Sequence, residues 1–187
     1  MAVLHTVLVK AVNPGGRVFN MVHEDDKMKN GYVGFLGDYV EGQHTIKKFL
    51  KPTAQLVAKK EFPVFVMHPE MMADTSRLSL QRLELFEIEA GTPFVGIPTE
   101  EYDKLQVTAD LLTDKSDNSG VPVVGDKFVV ADGKYTLKHT ASVEDGDVYF
   151  EVVAIKDAHS RNARIGGSVF AKGNYKLYTI EARKHRA

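Results

Sequence analysis

Seven histidines, His5, His23, His44, His68, His139, His159 and His185, are the residues best suited to proton transfer or metal binding in this chain. No two stand at i, i+4 beside a carboxylate, the spacing by which a helix presents a zinc pair. His23 and His68 are the two weighed as ligands that would have to converge from distant segments. No serine lies in a Gly-x-Ser-x-Gly elbow, and Gly166-Gly167-Ser168 reads as a turn. Glu100-Glu101 and Glu144-Asp145 are adjacent acids of the kind solvent screens, whereas a glycosidase pair must face across a cleft. The chain has no cysteine, which excludes disulfides, thiolate metal sites and a cysteine nucleophile. His23 to Asn30 is rich in charge but lacks the alternating carboxylates of a calcium loop, so it reads as a solvated loop. Gly31-Tyr32-Val33-Gly34-Phe35-Leu36-Gly37-Asp38 lacks the Lys-Ser or Lys-Thr ending and the following helix of a phosphate loop. It reads as a glycine-punctuated strand where backbones approach closely or bend. The expectation is a non-enzyme with no catalytic residue, no cofactor and no metal.

The elements that would position any site are strands. Val3 to Val9 alternates as an opening strand, and Asn13-Pro14-Gly15-Gly16 ends it as a turn. Arg17 to Val22 follows as a short strand. Thr53 is suited to cap a short helix over Ala54 to Lys59, because its hydroxyl can accept an orphan backbone N–H. Phe62 to Met67 is an apolar strand that Pro63 confines to a sheet edge or to its own first residue. Leu80, Leu83 and Phe86 recur at helical spacing, with Leu85 and Ile88 as a second apolar row, which predicts a helix over Ser76 to Ala90 stopped by Gly91 and Pro93; a strand from Leu83 to Ile88 is the competing reading. Phe94 to Pro98, Lys104 to Leu112, Val148 to Ile155 and Tyr175 to Ile180 read as further strands. Lys127 to Ala131 and Lys134 to Lys138 flank Asp132-Gly133, which predicts a two-residue hairpin. The fold class expected is mainly β: small antiparallel barrel or sandwich units with one or two short helices. The division expected is an N-terminal β-rich lobe over 1–97 and a barrel-like lobe over 98–187, with a single domain as the alternative.

Composition narrows the partners. Among 187 residues, 24 are basic and 25 acidic, for a net charge of -1, so no overall field draws in nucleic acid. The basic groups Lys47-Lys48-Lys51, Lys59-Lys60, Arg161-Arg164 and Arg183 to Arg186 are the ones a nucleic-acid-binding barrel would use. No apolar run approaches the roughly 20 residues of a membrane span, and the charge of the first ten residues follows the apolar stretch, unlike a secretory signal. No membrane partner is expected.

Several segments together resemble tailed-bacteriophage head proteins of the capsid decoration, or cement, type. They are Arg17-Val18-Phe19-Asn20, Gly37-Asp38-Tyr39-Val40-Glu41-Gly42, Lys51-Pro52-Thr53-Ala54, Ala90-Gly91-Thr92-Pro93, Val123 to Val130 and Phe150-Glu151-Val152-Val153. The resemblance implies a protein made in the host cytoplasm and carried on the virion, on the outer face of the capsid shell. It implies the major capsid protein lattice as partner, with a further copy of itself as a second, and no catalytic residues. A tail or neck component is the alternative in the same class. Met21 to Asn30, Lys115 to Gly120 and Asp157 to Gly167 are the loops expected to touch the shell, with Arg161, Arg164, Lys115 and Asn118 as contact residues, since binding residues concentrate on loops held by a scaffold.

Overall fold

A computed structural model describes residues 18–68, 87–115, 120–158 and 175–186. The described residues are mainly β, 46% of them in strands and 5% in helices. The first five strands are β1 (Phe19–Val22), β2 (Val33–Tyr39), β3 (Ile46–Leu50), β4 (Val64–Val66) and β5 (Phe94–Pro98), closed into a barrel in the order β1-β3-β2-β4-β5. β5 returns to pair antiparallel with β1, Met21 opposite Phe94, while β1 and β3 run parallel. The second sheet contains β6 (Lys104–Thr108), β7 (Leu112–Thr113), β8 (Lys127–Val130), β9 (Leu137–Thr140), β10 (Val148–Ala158) and β11 (Tyr175–Lys184). Its order is β6-β11-β10-β8-β9-β7, curled into a half-barrel.

Alternation decides which face each barrel residue uses. Met21, Phe49, Val64, Val66 and Phe94 pack with Met28 and Ile88 in one cluster that fills the barrel. Val33, Phe35 and Phe65 point the other way, into a core shared with Leu105, Val107, Phe128, Phe150, Tyr178 and Ile180 of the second sheet. β2 and β4 are thus covered on both faces, which is why Val64-Phe65-Val66 is an unbroken apolar run. Phe65 meets Phe150 edge-to-face at 5.4 Å between ring centroids, joining the two sheets at the centre of that core. The barrel is narrow, and glycine makes the room. A Cβ on Gly34 would lie 2.4 Å from Cζ of Phe49, and one on Gly96 would lie 1.7 Å from Cε of Met21.

Local expectations fare unevenly. Helix α1 (Ala54–Val57) is capped as expected, the Thr53 hydroxyl accepting from the Leu56 N–H at 3.4 Å. β4 starts directly after Pro63, whose free carbonyl accepts from the Thr99 N–H and hydroxyl at 3.0 and 2.8 Å. The close approach read from the glycines of 31–38 is seen at Gly34, and β2 has an irregularity between Leu36 and Tyr39. The helix expected over Ser76 to Ala90 does not extend through its described end. There Ile88 forms an antiparallel bridge to Met28 and a turn follows; residues 76–86 lie outside the described residues. The opening strand Val3 to Val9 also lies outside them.

The hairpin at Asp132-Gly133 is wider than its two-residue reading. Val130 pairs with Leu137, not Tyr135, and the Ala131 N–H reaches Thr136 O at 3.0 Å. Asp132 to Tyr135 therefore forms the loop. Its backbone groups bind the barrel instead of each other: the Gly133 N–H donates to Pro52 O at 3.0 Å and Tyr135 O accepts from the Val33 N–H at 3.1 Å. Gly133 supports this with a φ of +69°.

Candidate functional site

Two polar arrangements bring candidate side chains together. The first sits where the β8–β9 loop meets the β1–β2 loop. Tyr135, released from the ladder, lays its ring on Tyr32 at 5.1 Å with planes 9° apart. Its hydroxyl donates to Oδ2 of Asp26 at 2.6 Å and lies 3.0 Å from Nε2 of His23. Nδ1 of buried His23 donates to Phe49 O at 2.9 Å. Lys51 reaches the same Asp26 oxygen at 3.3 Å and lies 5.0 Å over the Tyr135 ring. The Tyr135 hydroxyl and Lys51 together hold the Asp26 carboxyl below its ordinary range. Burial, reinforced by Asp26, pushes the Tyr135 phenol well above its own.

Histidine, tyrosine and carboxylate in contact can move a proton, but a catalyst also needs a place for substrate. Clefts of about 110 and 260 Å³ flank helix α1, lined by Phe35 and Glu61 together with Lys60 and Asp147 in one and Lys48 and Lys59 in the other. Neither cleft is lined by His23, Asp26 or Tyr135. The joint's visible work is to tie the barrel to the second sheet. His68, weighed with His23 as a ligand, is held elsewhere: Asn30 grips its backbone through N–H···Oδ1 and Nδ2–H···O contacts of 2.7 and 2.9 Å. No group of three histidines or acids suited to a metal ion occurs among the described residues.

The second arrangement is the segment leading into β8. Lys115 and Asp126 bracket it. Nζ of Lys115 lies 2.7 Å from Oδ2 of Asp126 and donates to Val121 O at 2.8 Å. The same carboxylate accepts from the Val123 N–H at 2.8 Å. These bonds close the two ends of the segment on each other and bury Pro122. Val121, Val123 and Val124 are left 43%, 49% and 60% exposed. Three outward valines on a pinned backbone are unlike the solvent-facing polar loop that ordinary turn chemistry produces.

Lys115 is thus placed in an internal ion pair, its side chain only 3% exposed. Asn118, Arg161 and Arg164 lie outside the described residues, as does most of the Asp157 to Gly167 loop. Among the described residues, four of the basic side chains weighed for nucleic acid meet acids. Lys51 meets Asp26, Lys60 meets Asp147, Arg183 meets Glu151 and Glu181, and Arg186 meets Glu101. Sequence reasoning missed Tyr135, which it placed inside a strand, and the outward exposure of the valines, of which Val123 and Val124 entered only within the Val123 to Val130 segment. The signal for the valines was present: Val121-Pro122-Val123-Val124 is apolar without alternation and leads into the Gly125-Asp126 turn.

No family model, curated protein or solved structure matches the chain. Among the described residues no helix is long and apolar enough to cross a membrane.

Proposed function

We propose that the chain is a virion structural protein that binds the outer surface of a capsid shell and braces it. The observation that carries this reading is the pinned loop: Val121, Val123 and Val124 face solvent on a backbone fixed by the Lys115–Asp126 ion pair. A rigid apolar projection loses little conformational freedom when it docks, so more of its buried area becomes binding energy. Two sheets sharing one core supply the stiff support that a brace needs. The segment resemblance to decoration proteins supplies the shell as partner. Repetition on a lattice makes modest individual contacts sufficient, because linked contacts raise the effective concentration.

Co-sedimentation of the purified chain with shells lacking it tests the proposal, followed by heating of decorated and bare shells. The expected result is binding to assembled shells, poor binding to free capsid subunits, and a gain in shell heat resistance. Val123→Asp combined with Val124→Asp abolishes binding while the chain still unfolds at the wild-type temperature. Binding to tails in place of heads assigns the chain to a tail or neck. No binding to either, or binding without any gain in heat resistance, removes the bracing role.

A further inference from the structure

The joint at His23, Tyr135 and Asp26 needs more hydrogens than its side chains carry in their common forms. Three contacts are present: His23 Nδ1 to Phe49 O at 2.9 Å, His23 Nε2 to the Tyr135 hydroxyl at 3.0 Å, and that hydroxyl to Asp26 Oδ2 at 2.6 Å. A carbonyl oxygen only accepts, so Nδ1 must carry a hydrogen. The phenol has one hydrogen to give. If it goes to Asp26, Nε2 must also carry a hydrogen and the ring is an imidazolium. If it goes to Nε2, two oxygens meet at 2.6 Å with a hydrogen between them only if Asp26 is itself protonated. Either arrangement holds three hydrogens, where a neutral histidine, a tyrosine and a carboxylate together supply two.

We propose that this joint closes with uptake of one proton and so acts as a pH-sensitive latch between the β1–β2 loop of the barrel and the β8–β9 loop of the second sheet. The charged and titratable groups facing His23 come from three elements. Oδ2 of Asp26 is 3.8 Å from Nε2. Phe49 faces the imidazole edge-on from β3, and Tyr32 contributes only its stack on Tyr135. Glu24 and Asp25 of the same loop are exposed. The segment around Gly91, whose N–H bonds His23 O, carries Glu87 and Glu89, and these are matched by Lys29 and Lys27. On the β8–β9 loop Lys134 turns to Asp114, while Lys51 competes for Asp26.

The phenol's own hydrogen goes to Asp26 at 2.6 Å, so the geometry leaves the imidazole to exchange the third one at Nε2. Histidine is the side-chain type that does this between about pH 5 and 8. The sign follows: a cation gained on closure stabilises the closed joint on the acid side, and the stabilisation fades as rising pH removes the proton. Protonation of Asp26 sets the lower limit. Above the transition Tyr135 has one hydrogen for two acceptors, and one of the three contacts opens.

The proposal is tested on the full-length chain labelled with ¹⁵N, by long-range ¹H–¹⁵N spectra that report both ring nitrogens of each histidine. His23→Gln identifies the His23 signals. Both nitrogens of His23 are expected to be protonated at the acid end. The midpoint is expected to move toward acid by about one pH unit in Asp26→Asn and in Tyr135→Phe, as when a neighbouring charge or acceptor is lost. Tyr135→Phe keeps the ring stack and removes only the hydroxyl. Should it fail to fold, Asp26→Asn decides alone, since that side chain is 44% exposed and its replacement is nearly isosteric. A His23 whose Nε2 stays unprotonated down to about pH 5 overturns the latch. So does a midpoint that neither substitution moves.

Discussion

Replacing Lys115 by methionine is the sharpest test of the pinned loop. Its Nζ is bonded to Oδ2 of Asp126 at 2.7 Å and to Val121 O at 2.8 Å, and its side chain is 3% exposed. Removing one partner of a fully buried ion pair costs about 3–5 kcal/mol, mostly because the other charge stays buried alone. Asp126 is less isolated than that: it is 14% exposed and keeps the Val123 N–H, with His139 Nε2 at 3.9 Å. The expected loss is therefore about 2–3 kcal/mol. For a chain of this size that lowers the melting temperature by about 5–10 °C. Thermal unfolding of Lys115→Met, Asp126→Asn and the double variant measures it. The double variant should lose less than the two single losses combined, by about 1–2 kcal/mol, because both remove one interaction. A single variant within about 0.5 kcal/mol of wild type, or strict additivity, would refute the idea that the ion pair pins the loop.

Phe65→Ala, at the shared core against Phe150, is expected to cost about 3–5 kcal/mol in chemical denaturation. Gly34→Ala, whose added methyl meets Phe49 and the Leu50 carbonyl, is expected to cost about 1–3 kcal/mol, with partial recovery when Phe49 is also reduced to leucine. The exposed pair Val123→Asp and Val124→Asp should leave stability within about 0.5 kcal/mol of wild type, which separates docking from folding. Burial raises the carboxyls of Asp147 and Glu181, but Lys60 for the first and Lys104 with Arg183 for the second outweigh it and hold both below their ordinary values. Groups lowered in the folded state stabilise it above their unfolded values, so stability measured by denaturant titration should fall as pH drops below about 4. Glu181→Gln should flatten that fall.

Much of the fold was legible because it rests on short-range rules. The Thr53 cap, the start of β4 after Pro63, the strand Phe94 to Pro98 and the glycine punctuation of β2 each follow from one or two neighbouring residues. Asp132-Gly133 misled because a dipeptide cannot register that its N–H is claimed by Pro52, in the connection between β3 and α1. Ile88 misled similarly: its helical spacing gave way to a bridge with Met28, far away in sequence. The candidate site was harder still. His23 and Asp26 meet Tyr135 only after two sheets have docked, and Lys115 was taken for a surface contact although its charge is answered by Asp126 eleven positions on. Loop residues tell by type that they are polar, not whether they face solvent or each other.

The closure of the barrel by its first and last strands bears on how the chain is made. Met21 cannot find Phe94 until the ribosome has passed β5, and β6 cannot find its neighbour β11 until Tyr175 to Lys184 has emerged. Each sheet completes its hydrogen bonding late, through contacts distant in sequence, and folding of this kind is slow. During that wait Phe49, Val64 and Val66 have no finished barrel to enter, and β4 is a short apolar strand with open edges. High-level expression is thus where aggregation should first appear, and slowing synthesis by lowering temperature should recover soluble chain.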